Sequence, residues 1–130
     1  MYTIVNYPES NKLPVIYKIE IGSLDSDEYL VYIGKAKAGV KRPLKKYWSC
    51  VKAFETNKFR KTYKEGKVVG TRQAWRDNIH IPMSKAKALG IPITLTMFNV
   101  SLEELDAQEL KSINEIVKLH GDKVMNIQGK

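Results

Sequence analysis

This chain has one cysteine, Cys50, so no disulfide can form within it. A single thiol fits a reducing, cytoplasmic setting. Among apolar neighbours Cys50 reads as a small buried hydrophobe. No apolar run is long enough to span a bilayer, and the N-terminus has no basic stretch leading into an apolar one. Neither a membrane partner nor a signal peptide is therefore expected. There is no internal repeat and no low-complexity tract. Acidic residues are scarce in one region: from Lys35 to Arg76 there are 2 Asp/Glu against 14 Lys/Arg, while the remainder carries 12 against 8.

What is present is ordinary for a globular chain. At 130 residues, 43% hydrophobic and 28% charged, it predicts one domain over 1–130 with a modest core. The formal net charge is +8, and the asymmetry puts all of that excess in the Lys35–Arg76 block. A basic block on an otherwise mildly acidic chain points to a polyanion partner. The plainer alternative is a solvated face kept charged for solubility.

Taken in order, residues 1–12 read as an N-terminal arm or edge segment. Pro14 opens a first strand in which Val15, Tyr17, Ile19 and Ile21 alternate with Ile16, Lys18 and Glu20, so Tyr17 lies on an apolar face. A polar turn at 22–28 returns the chain as a second strand, Tyr29 to Gly34, close enough to pair as a hairpin. A helix from about Val40 to Phe54 follows, with Pro43 in its first turn. Val40, Leu44, Tyr47, Trp48, Val51 and Phe54 form its core face. Arg42, Lys46 and Ser49 share another face, with Lys41, Lys45 and Lys52 outside it. Residues 56–70 are a basic loop or hairpin. Thr71 is expected to cap a short helix carrying Arg72, Trp75 and Arg76, which Pro82 breaks. Ser84 is expected to cap another, closed by Gly90. Ile91 to Val100 is a third strand. Ser101, with Glu104 three residues on, starts a final helix to about His120. The fold class expected is α/β of the α+β kind: a small three-stranded, mainly antiparallel sheet flanked by helices.

Stepping the last helix at 100° per residue from Leu102 puts Leu105, Ile113, Ile116 and Val117 within about 60° of one direction. Glu109 falls near −20°, inside that apolar stripe, whereas Glu104, Lys111, Glu115 and Lys118 face solvent. An inward carboxylate must meet a cation, either a basic side chain or a metal ion. Asp106, one turn earlier, can share the site.

Val15-Ile16-Tyr17, then Tyr32-Ile33-Gly34, then Arg42 eight residues after that glycine, make a specific order. It resembles the GIY-YIG nuclease superfamily, and among relatives the small phage endonuclease II type, which also departs from the first glycine of the triplet. Phe98-Asn99-Val100-Ser101 and Asn126-Ile127-Gln128 add to the likeness. The resemblance implies a metal-dependent endodeoxyribonuclease that hydrolyses phosphodiester bonds of double-stranded DNA. It implies Glu109 as the ligand of Mg²⁺ (or Mn²⁺), followed by an apolar residue, here Ile113. Arg42 would hold the phosphate, Tyr17 would activate water, helped by the charge of Lys35 and Arg42, and Tyr32 would position water or phosphate. Gly34 would let the backbone turn and approach a ligand, with Asn126 in support. Lys35, Lys37, Lys41, Lys45, Lys46, Arg72 and Arg76 would contact DNA. Each tyrosine also has a plain reading as a core residue, and each lysine as a solvated one.

Two other functions fit the same residues: a non-catalytic nucleic-acid-binding module, and a nuclease of structured RNA. Tyr17, Arg42 and Glu109 together favour the nuclease over the binder, which needs only the lysines. So small an enzyme reads sequence poorly unless it forms a homo-oligomer.

Overall fold

Alternation at Val15–Ile21 works as written: Val15, Tyr17, Ile19 and Ile21 enter one core and Ile16 the opposite one. In the computed structural model, which describes residues 1–127, this segment is strand β2. It pairs antiparallel with β3 (Leu30–Ala36) on one side and with the later strand Ile93–Asn99 on the other. The three expected strands are thus present and antiparallel. A fourth, β1 (Thr3–Asn6), lies inside the presumed arm and runs parallel to Ile93–Asn99 at the sheet's edge. The arm is tied down beyond that strand: Asn99 Oδ1 accepts from Ser10 N–H at 2.9 Å, and Asn11 C=O accepts from Val40 N–H at 3.1 Å.

The basic helix opens with a wide, π-type turn at Arg42–Lys46, with Pro43 at its start, and continues as α1 (Tyr47–Glu55). The basic segment beyond it is a separate two-stranded ribbon, β4 (Phe59–Lys64) and β5 (Lys67–Gln73), which ends three residues beyond the 56–70 loop anticipated. Thr71 therefore caps no helix; it sits in β5 opposite Lys61. Helix α2 (His80–Leu89) follows. Pro82 is in its first turn, where a missing N–H costs nothing, so it does not break the helix. Ser84 is likewise inside α2, buried, and donates to Glu55 Oε2 at 2.9 Å. Gly90 closes α2 at φ 71°, the left-handed conformation expected of a C-terminal glycine.

Strand β6 (Ile93–Asn99) completes the sheet in the order β1-β6-β2-β3. Helix α3 (Leu105–His120) starts after a turn in which Ser101 Oγ accepts from Glu104 N–H at 3.3 Å. Leu102 belongs to that turn and is exposed, so the apolar stripe begins at Leu105.

Two layers cover the sheet. On one face Tyr47 and Val51 of α1 and Met83 and Ala86 of α2 meet Tyr17, Ile19, Leu95 and Met97. On the other face α3 brings Leu105, Ile113 and Ile116 onto Ile16 and Ile33. Because β3 is an edge strand, both layers come together along its rim. Asn126 closes that rim: its Oδ1 accepts from Ile33 N–H at 2.9 Å and its Nδ2 donates to Ile33 C=O at 2.7 Å. A side-chain amide here replaces a neighbouring strand. Gln128 lies outside the described residues.

Candidate active site

Register decides the centre of the site. Tyr17 stands opposite Gly34. A Cβ added at Gly34 would lie 2.3 Å from the Tyr17 ring. Gly34 is therefore absent of side chain so that Tyr17 can lie flat across β3. It is mid-strand, not the turn glycine that the sequence suggested; β3 runs on to Ala36.

The Tyr17 hydroxyl is hydrogen-bonded to that of Tyr47 at 2.7 Å, with the two rings edge to face. Arg76 reaches in from the turn between β5 and α2. Its Nη2 donates to Tyr47 Oη at 2.8 Å and its Nη1 to Tyr32 Oη at 3.1 Å. The backbone holds Arg76 as well: its N–H donates to His80 Nδ1 at 2.8 Å. Since Nδ1 accepts, His80 carries its proton on Nε2. Burial, and the charges of Arg76 and Arg42, depress the imidazole to about 4, so it is neutral at physiological pH.

Burial raises all three phenols. Tyr17 is pushed up to about 12 chiefly by desolvation, against which its bond to Tyr47 and the nearby Arg42 pull only partly. Tyr32 and Tyr47 rise for the same reason, with Arg76 opposing. The positive charge expected to prepare Tyr17 as a base is present at Arg42 but is outweighed. In the free protein Tyr17 is a neutral hydroxyl.

Glu109 is turned inward as its place on the helix requires, with 23% of its side chain exposed. It lines one hollow of about 330 Å³ with Tyr17, Tyr32, Gly34, Arg42 and Arg76, into which Lys35 and Lys37 also reach. Its partner is Lys35, at 3.3 Å; Lys35 is closer to Asp106, at 2.6 Å. The hydrogen bond to Asp106 holds the Lys35 ammonium above its usual range and the Asp106 carboxyl below its own. Glu115 is exposed on the far side of α3.

Other expected residues fall around this centre. Lys41, Lys45 and Lys46 line a groove on the outside of the first helix together with Arg42. Arg72 is not in the tyrosine hollow; it lines a neighbouring one that shares Arg42, Tyr47 and Arg76. Two residues central to the geometry were read otherwise from sequence. Tyr47 was given to the core, and it is both core and site. His80 drew no attention, because its importance comes from a turn that places it under Arg76.

Among the described residues no three of His, Cys, Asp and Glu converge into a metal cage. Glu109 is the one carboxylate among the described residues that line the hollow. Such a donor set suits a hard cation that keeps water and substrate oxygens as most of its ligands, and does not suit a fully protein-coordinated ion. Among the described residues no helix is long and apolar enough to cross a membrane. Comparison with known proteins found no matching family model, no matching curated protein and no matching solved structure.

Proposed function

We propose that this chain is a metal-dependent DNA endonuclease of the GIY-YIG kind, nearest the small phage endonuclease II type. The observation that supports it is the meeting of Glu109 with Tyr17, Tyr32, Arg42 and Arg76 around one hollow, although the five come from five separate parts of the chain. A half-buried carboxylate that shares a hollow with two guanidinium groups and a cluster of hydroxyls is useful for a phosphodiester and its cation.

Arg42 and Arg76 offer planar forks of donors to the phosphate oxygens. Arg76 is fixed by Tyr32, Tyr47 and His80, so it is oriented before substrate arrives. The neutral Tyr17 hydroxyl is a donor and acceptor that can orient a water or a phosphate oxygen; it works as a base only if bound substrate and cation lower it. Glu109 would hold Mg²⁺ (or Mn²⁺), which when bound supplies charge neutralisation on the phosphate and a more acidic water. Asp106 gives Lys35 a second carboxylate, so Glu109 can turn to a cation without leaving the ammonium unpaired.

The test uses supercoiled plasmid with wild type, Glu109→Ala and Arg42→Ala, in Mg²⁺ and in chelator. Nicked and linear products are expected from wild type with metal. Each variant is expected to lose about 10²-fold or more. The Glu109–Lys35 pair also suits a second reading, a non-catalytic binder in which that carboxylate is simply satisfied. Tight binding by wild type with no cutting in Mg²⁺ would establish it. Preferential cutting of RNA would move the proposal to a structured-RNA nuclease.

A further inference from the structure

The ribbon β4–β5 puts two arginines directly opposite each other, Arg60 and Arg72. Like charges facing across an antiparallel pair are destabilising. Lys64 and Lys67 repeat the arrangement at the tip. Among the described residues neither Arg60 nor Arg72 has an ion pair. Asp77, five residues beyond Arg72, is held instead by the Gln73 amide at 2.6 Å, and Glu65 sits in the turn at the far end of the ribbon.

Both arginines line a hollow of about 420 Å³ between the ribbon and the first helix, together with Arg42, Lys46 and Arg76. Among the described residues no carboxylate lines it. At its base the ribbon is anchored, for the Trp75 ring lies 5.3 Å from Phe59 and 5.6 Å from Phe54 of α1. Beyond that base the ribbon leaves the protein, and Tyr63, Val68 and Val69 are 64%, 54% and 62% exposed.

A rooted ribbon with a bare tip and five convergent cations at its root is a poor device for stability and a good one for gripping a phosphate chain. We propose that this ribbon enters the major groove of duplex DNA, while Arg60 and Arg72 clamp a backbone phosphate bordering that groove, next to the one held in the tyrosine hollow. The proposal rests on the reading of the partner as nucleic acid, and not on cleavage. B-form DNA is favoured over RNA by shape. A two-stranded ribbon fits the B-form major groove, whereas that of A-form RNA is too narrow for protein side chains. The exposed tip offers apolar contact to thymine methyl groups. The opposed arginines are then neutralised by the phosphate they share.

The experiment measures binding of a labelled DNA duplex of about two helical turns by anisotropy, in chelator, over a range of salt. Wild type is compared with the double variant Arg60→Gln/Arg72→Gln and with Lys111→Gln/Lys118→Gln on the far side of α3. An RNA duplex of the same sequence and the melting temperature of each free protein complete the set. The ribbon variant is expected to bind DNA about tenfold or more weakly, with a salt slope lower by about one, since one phosphate contact is lost. Its free form is expected to melt no lower than wild type, because an opposed pair has been removed. The α3 variant and the RNA duplex should show no comparable dependence on the ribbon. Unchanged DNA affinity, a lower melting temperature of the ribbon variant, or tighter binding of RNA overturns the proposal. Plasmid left intact by wild type in Mg²⁺ would defeat the nuclease reading alone. Cutting by wild type alongside undiminished binding by the ribbon variant would defeat this one alone.

Discussion

Two hollows share Arg42, Tyr47 and Arg76, and they handle charge in opposite ways. In the tyrosine hollow two of the cations are already engaged: Arg76 donates to two phenols, and Lys35 bridges Asp106 and Glu109. In the ribbon hollow Arg60 faces Arg72, and among the described residues no acid joins the lining. The first is a pre-arranged site, whose groups hold their positions before any ligand comes. The second carries surplus charge, which on the proposed reading a phosphate neutralises. Chemistry needs fixed donors, and a grip on a passing strand needs surplus charge.

That contrast can be broken first at Gly34. If the tyrosine hollow is fixed by packing, Gly34→Ala must displace the Tyr17 ring at a cost of about 1–3 kcal/mol. A lowered urea midpoint and a loss of plasmid cleavage are expected together, with DNA affinity at the ribbon intact. Unchanged stability would mean that the ring yields easily and that the site is not rigid.

A smaller effect sharpens the comparison from beneath. His80 lines the ribbon hollow and also holds the backbone of Arg76. Its folded value of about 4 lies below the ordinary 6.5, so the unfolded chain binds the proton more readily. Stability from this residue is therefore full above about 6.5 and is lost as pH falls towards about 4. The loss should reach about 2 kcal/mol between about pH 7 and about pH 5. Urea unfolding at the two pH values should show it in wild type and show less of it in His80→Gln.

The smallest change is expected at Lys35→Met. The pair with Asp106 is exposed, so the melting temperature should hardly move at moderate salt. Freed of its ammonium, Glu109 should bind Mn²⁺ more tightly by calorimetry. A weaker signal than wild type would assign Lys35 to ordering the site and not to guarding it.

Much of the scaffold was legible where one face of an element is buried. Alternation at Val15–Ile21 and the inward angle of Glu109 both follow from a stripe that has an inside and an outside. The ribbon has no inside: it is exposed on both faces, so no period separates its residues, and Thr71 was free to look like a helix cap. Strand β1 is four residues long and exists through parallel pairing with β6, some ninety positions away, which no local pattern records. Arg76 was counted among basic contacts; its central position arises from a turn held by His80, a contact between a backbone N–H and a ring. Gly34 was singled out for a turn, but β3 runs through it, and what the structure asks there is room for the Tyr17 ring.

The flat lie of one phenol over a bare α-carbon has a consequence for how such chains vary and how they are dissected. The two short triplets are a single object, a key and its slot, and neither half can be exchanged by itself. A substitution survey that ranks positions by lost turnover would score the slot as highly as any acid or base, although it carries no reactive atom. Only a bulk-compensating swap on the facing strand could tell such a steric requirement apart from participation in the reaction.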